Sequence, residues 1–240
     1  MIRRYFNIGA MLLFILAVCV SAGRAQTGAA SADSSAAAES SSAQSAGADF
    51  ELRSGMNEFG FWGGFAPAAT HSFGGLHEDE TRDRKLTLLA FRYGRVFAAS
   101  KSIAWEYTLD AIPVALASGN IISAIRATPD GAIISARRET TYGAGVSPLG
   151  LQLHFSNRSK VKPFVHINAG LLVFNKSVPL PDAGRLSFTL EGGGGVRVFT
   201  SERHAVSLGV RLHHISNGDR SGSNRGLNEF VIYAGFSVFR

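Results

Sequence analysis

Val206-Ser207-Leu208-Gly209-Val210-Arg211-Leu212-His213 alternates a bulky aliphatic with a small, polar or charged residue, four times over. Successive side chains of a strand point to opposite faces. The stretch is therefore a strand with Val206, Leu208, Val210 and Leu212 on one side and Ser207, Gly209, Arg211 and His213 on the other. The same division recurs upstream. Ile103, Trp105, Tyr107 and Leu109 oppose Ala104, Glu106, Thr108 and Asp110, and Leu186, Phe188 and Leu190 oppose Ser187, Thr189 and Glu191. Glu106, Asp110, Glu191, Arg197 and Arg211 are too many charges for a dry apolar core, but inside a narrow barrel they can pair with one another. The faces predict a barrel with its polar side within and its apolar side turned to lipid.

Working outward, eight segments rich in Val, Ile, Leu, Phe and Tyr cover 56–68, 85–99, 102–116, 141–155, 161–175, 185–199, 204–217 and 227–239. The joints between them alternate in length. Those at 70–84, 118–140, 176–184 and 218–226 are the longer ones, and those at 99–102, 157–160 and 201–203 are tight. Long loops on one side and short turns on the other are the pattern of outer-membrane barrels, and eight is an allowed even number of strands. The fold class expected is all-β, an eight-stranded antiparallel transmembrane barrel. The second segment fits least well, because apolar residues fall on both of its faces. The last ends Phe236-Ser237-Val238-Phe239-Arg240, with one arginine after the aromatic that commonly closes such chains.

The barrel is expected to occupy 51–240. Before it, Arg3 and Arg4 precede an apolar run from Ile8 to Val20, and small residues lead to Gly23-Arg24-Ala25. This is the layout of a secretory signal peptide over 1–25, too short to cross a bilayer as a helix. Val18 before Cys19 is larger than lipoprotein sites usually carry. Residues 26–50, almost all Ala, Ser, Gly and Gln, cannot bury enough apolar surface to offset their ordering entropy, and read as a disordered linker. Cleavage removes the single cysteine, so thiol chemistry and disulfides are excluded. It also removes Arg3, Arg4 and Arg24, which lowers the formal charge from +6 to +3. So modest a balance gives no reason to expect a nucleic-acid partner.

Chemistry concentrates in Arg211-Leu212-His213-His214-Ile215-Ser216-Asn217. His214 and Ser216 are two apart on a strand, so an imidazole base and a serine hydroxyl sit side by side. They continue the lipid-facing row, where a polar pair is costly unless it has a role. The bland alternative is a strand end emerging into water. With both termini in the periplasm, odd strands run outward, which places the pair at the outer leaflet. His154-Phe155-Ser156-Asn157 repeats the spelling, but it ends an even strand and its phase turns His154 and Ser156 inward. His166, in phase with Asn168, reads as a structural polar residue. Gly192-Gly193-Gly194-Gly195 lies within a strand with no helix after it, so it marks a bend or close packing and not a phosphate cradle.

His214-Ile215-Ser216-Asn217, followed by Asn224-Arg225-Gly226-Leu227-Asn228, resembles the signature of the outer-membrane lipid A 3-O-deacylases. The resemblance runs from Lys162-Pro163-Phe164 to Phe239; the first half is similar only in barrel character. It implies an outer-membrane serine esterase that removes an O-linked acyl chain from lipid A. Ser216 would be the nucleophile and His214 the general base. Asn217 with the backbone N–H of Gly218 would stabilise the oxyanion. Well-known members carry glutamate where Asn228 aligns, whereas the glutamate here is Glu229. Strand phase puts Asn228 on the face of His214 and Glu229 on the inner one. Asn228 is thus the expected third member, with Glu229 the alternative. The implied partners are lipopolysaccharide and membrane lipid of the bacterial outer membrane. No cofactor or metal is expected, since the histidines have no ligand spacing. The competing readings are a non-catalytic structural or adhesin-like barrel, a narrow pore, and an acyltransferase.

Overall fold

A computed structural model of the chain describes residues 50–68, 84–129, 131–178, 182–222 and 226–240. The segment expected as a signal peptide, nearly all of that expected as a linker, most of the first long joint and Asn224-Arg225 lie outside the described residues. Eight strands follow one another: β1 (Asn57–Ala66), β2 (Lys85–Ala99), β3 (Ile103–Thr128), β4 (Gly131–Phe155), β5 (Val161–Phe174), β6 (Leu186–Phe199), β7 (His204–Ser216) and β8 (Leu227–Phe239). Each pairs antiparallel with its chain neighbour, and β8 closes on β1. Closure leaves no sheet edge unpaired around the ring.

Six strands begin and end within two residues of the sequence expectation. The exceptions are β3 and β4. The stretch 118–140, expected as a long loop, instead continues both strands to a tight turn between Thr128 and Gly131. The pairing runs from Ser118↔Thr140 to Thr128↔Gly131 and makes a two-stranded ribbon standing beyond the barrel rim. The sequence here does not alternate, since Ile121-Ile122 and Ile133-Ile134 each set two apolar residues in succession, and periodicity gave no strand signal. Lower down, Pro113 and Pro148 fall where the β3–β4 and β4–β5 registers slip. A residue without an N–H is tolerated at a bulge because the ladder is already interrupted there. Tyr142 donates its hydroxyl to the Pro113 carbonyl at 2.6 Å, and Tyr107 donates to that of Pro148.

The exterior carries exposed Phe59, Phe91, Leu149, Ile167, Leu208 and Ile232, while the buried polar groups point inward. The lumen has three layers. At the rim with tight turns, Leu52, Val96, Ala104, Phe199, Ala205 and Phe239 form an apolar plug. Asn157 holds Leu52 there, accepting its N–H at 3.1 Å and donating to its carbonyl at 2.9 Å. Next comes an ionic layer. Arg197 bridges Glu58 at 2.7 Å and Glu106 at 3.2 Å, and His154 bonds Glu106 at 2.7 Å. Arg92 clamps both oxygens of Asp110 at 2.7 and 2.6 Å. Toward the other rim Arg211 pairs with Glu191 at 2.6 Å and lies 4.0 Å over the Trp62 ring. Above these the lumen is mostly apolar, lined by Leu86, Leu88, Ile112, Leu172 and Phe174, with buried Thr141 and Ser187 at the same level. This third layer explains why β2 looked two-sided: Leu86 and Leu88 face inward where the lumen itself is greasy.

Candidate active site

The outward row of β7 ends in His214 and Ser216, both half-buried, at the rim that carries the longer joints. Their row begins with exposed Val206, Leu208 and Val210. Two strand residues on one face are about 7 Å apart at the Cα. The imidazole and the hydroxyl thus flank one another on the exterior, and no hydrogen bond joins them among the described residues.

Register brings the remaining parts. His214 lies opposite Asn228 on β8, and the Asn228 Oδ1 accepts from His214 Nδ1 at 2.7 Å. An acceptor at Nδ1 keeps the proton there and leaves Nε2 as the basic nitrogen. Glu229 faces the other way. It is fully buried in the lumen opposite His213, and neither of its carboxylate oxygens meets a donor among the described residues. It stands on the opposite side of the sheet from His214.

Asn217 turns inward, away from Ser216. Its amide donates to the Ala183 carbonyl at 3.0 Å and to Ser221 Oγ at 2.7 Å, and its Oδ1 accepts the Asp219 N–H at 3.0 Å. The side chain therefore ties the β7–β8 turn to the β5–β6 joint. Gly218 follows in the left-handed region, φ 63°, which favours glycine. A side chain there would also meet the Phe188 ring at 3.1 Å. Phe188 and Leu190 are site neighbours that the sequence did not single out. They pair with Ser216 and His214 respectively and are exposed on the same face. They lie more than twenty positions upstream, so only register reveals them.

The second His-x-Ser-Asn does not assemble a site. His154 points inward, as its phase predicted. Ser156, expected inward as well, is an exposed turn residue with φ 55°, because β4 stops at Phe155. Its Asn157 is the clamp on Leu52 described above. His166 is buried with Asn168 as expected, its ring 6.0 Å from those of Phe164 and Tyr233. In the glycine run, a Cβ on Gly195 would meet Gly209 Cα at 2.7 Å, so close packing accounts for that residue.

A closed eight-stranded barrel, greasy outside and ionic within, is a bacterial outer-membrane protein, and its lipid-facing histidine and serine set it among those with a candidate hydrolase site. Residues 93–237, well over half of the chain, match the family described as lipid A 3-O-deacylase (PagL). The chain belongs to that family. Among solved structures it is similar to the outer-membrane enzyme PagL, at 14% identity over 74% of this chain and 97% of that one, with a TM-score of 0.48. It is also similar to Neisserial surface protein A, at 13% identity over 77% and 97% with a TM-score of 0.42. OprG of Pseudomonas aeruginosa is similar at 12% identity over 79% and 98%, with a TM-score of 0.45. No curated protein matches the chain.

Proposed function

We propose that this protein is a serine esterase that hydrolyses an O-linked acyl chain of lipid A in the outer leaflet. The observation that carries the reading is the Asn228–His214 hydrogen bond beside Ser216 on the lipid-facing side. A histidine held at Nδ1 with a serine in the same row has one evident use, activation of that serine.

The steps follow from the residues. His214 Nε2 takes the Ser216 proton as the oxygen attacks the ester carbonyl. The Gly218 N–H stabilises the resulting oxyanion, and Asn217 serves by fixing the turn that presents it. Collapse passes the proton from His214 to the departing sugar hydroxyl and leaves an acyl-serine. Water, deprotonated by the same nitrogen, then releases the fatty acid. Phe188 and Leu190 flank the reacting ester with apolar surface, so the acyl chain never leaves the hydrocarbon. With both termini in the periplasm, the site stands at the depth where lipid A esters lie.

The test is mass spectrometry of lipid A from cells expressing the protein. Loss of one hydroxyacyl mass is expected, absent in Ser216→Ala and intact in Ser156→Ala. A gain of mass indicates an acyltransferase, and no change a non-catalytic barrel.

A further inference from the structure

Gly226 stands immediately before β8 and is buried. Space is what demands glycine here. A Cβ on Gly226 would lie 2.5 Å from His214 Cε1 and 3.4 Å from both ring nitrogens, and His214 supplies all three of its nearest neighbours. The imidazole thus rests its N–C–N edge directly against the Gly226 Cα.

We infer that Gly226 is a positioning residue for the catalytic base, kept free of a side chain so that His214 has one seat. This rests on the esterase reading above. Asn228 holds the ring at Nδ1, and Gly226 sets how far its edge can recede behind the line to Ser216. A methyl group would drive the ring outward by a sizeable fraction of an ångström. Either the Asn228 bond stretches or Nε2 swings from the serine. Displacements of about 1 Å at a reacting group cost about 100-fold in rate. The loss should fall on the chemical step, because Gly226 reaches substrate only through His214.

The test uses the full-length protein refolded in micelles with lipopolysaccharide as substrate. Gly226→Ala is expected to lower kcat about 100-fold with KM held within about twofold. Labelling of Ser216 by a fluorophosphonate, which needs no lipid recognition, should slow in parallel. Gly63→Ala is the control for the substitution itself, since a Cβ there meets nothing nearer than 3.8 Å. A double-mutant cycle then separates positioning from folding. Gly226→Ala should lower the urea midpoint when His214 is present and leave it unchanged in a His214→Ala background. A kcat within about twofold of the parent overturns the inference, as does an equal loss of midpoint in both backgrounds, which would mark a glycine needed by the fold. A parent protein that releases no fatty acid sinks the esterase reading instead; the unfolding cycle then decides Gly226 by itself.

Discussion

Asn228 Oδ1 accepts the Nδ1–H of His214 at 2.7 Å across the β7–β8 pair, an amide where a triad would use a carboxylate. An amide can orient the ring and set its tautomer, but in the proposed mechanism it would bring no charge to the imidazolium formed when Ser216 attacks. Charge-assisted hydrogen bonds are about twice as strong as neutral ones. Asn228→Glu is therefore expected to raise kcat about tenfold, and Asn228→Ala to lower it about 100-fold. Steady-state deacylation rates check both. Slower turnover in the glutamate variant would count against this account of the base.

Glu229 offers the complementary prediction. Its carboxylate is in the lumen beside His213, so it has no path to His214 that does not cross the sheet. Glu229→Gln should leave kcat within about twofold of the parent, because its contribution to orienting the base is nil. A loss as large as that from Asn228→Ala would transfer the third role to Glu229.

The barrel and the faces of the candidate site residues were legible because a strand's period is two. Val206 to Ser216 forms one row, so the face of His214 follows from counting, and so does the opposite face of Glu229. What counting cannot supply is register. The Phe188↔Ser216 and Leu190↔His214 pairs depend on how β6 slides against β7, and no residue near either serine or histidine in the chain announces it. The inward turn of Asn217 was hidden for a different reason. Its partners Ala183 and Ser221 lie in two separate joints, where periodicity has nothing to read. The ribbon of β3 and β4 escaped because strand alternation fades where there is no lipid on one side and lumen on the other.

Asn217 holds two joints together, and that gives a way to tell a scaffolding side chain from a direct oxyanion donor. Asn217→Ala removes the bonds to Ala183, Ser221 and the Asp219 N–H. The expected result is a rate loss of about tenfold to 100-fold, accompanied by faster amide exchange at 217–221 and 182–185 as both joints loosen. The same rate loss with exchange unchanged would return Asn217 to the oxyanion itself.

The ionic layer of the lumen is a matter of stability and not of chemistry. Arg197 faces Glu58 and Glu106 at 2.7 and 3.2 Å, and all three are buried. Removing one partner of a buried pair leaves uncompensated charge and costs about 3–5 kcal/mol. Arg197→Met should lose about that much in urea unfolding from micelles, with the loss largely recovered when Glu58→Gln and Glu106→Gln are added, since amides leave no charge behind. Below its new unfolding midpoint, Arg197→Met should deacylate at the parent rate. The layer lies near the rim with tight turns, while His214 and Ser216 sit at the other end of β7 on the outer face. A rate loss in the folded variant would mean that the interior of the barrel reaches the site through its wall, which the separation of faces does not allow.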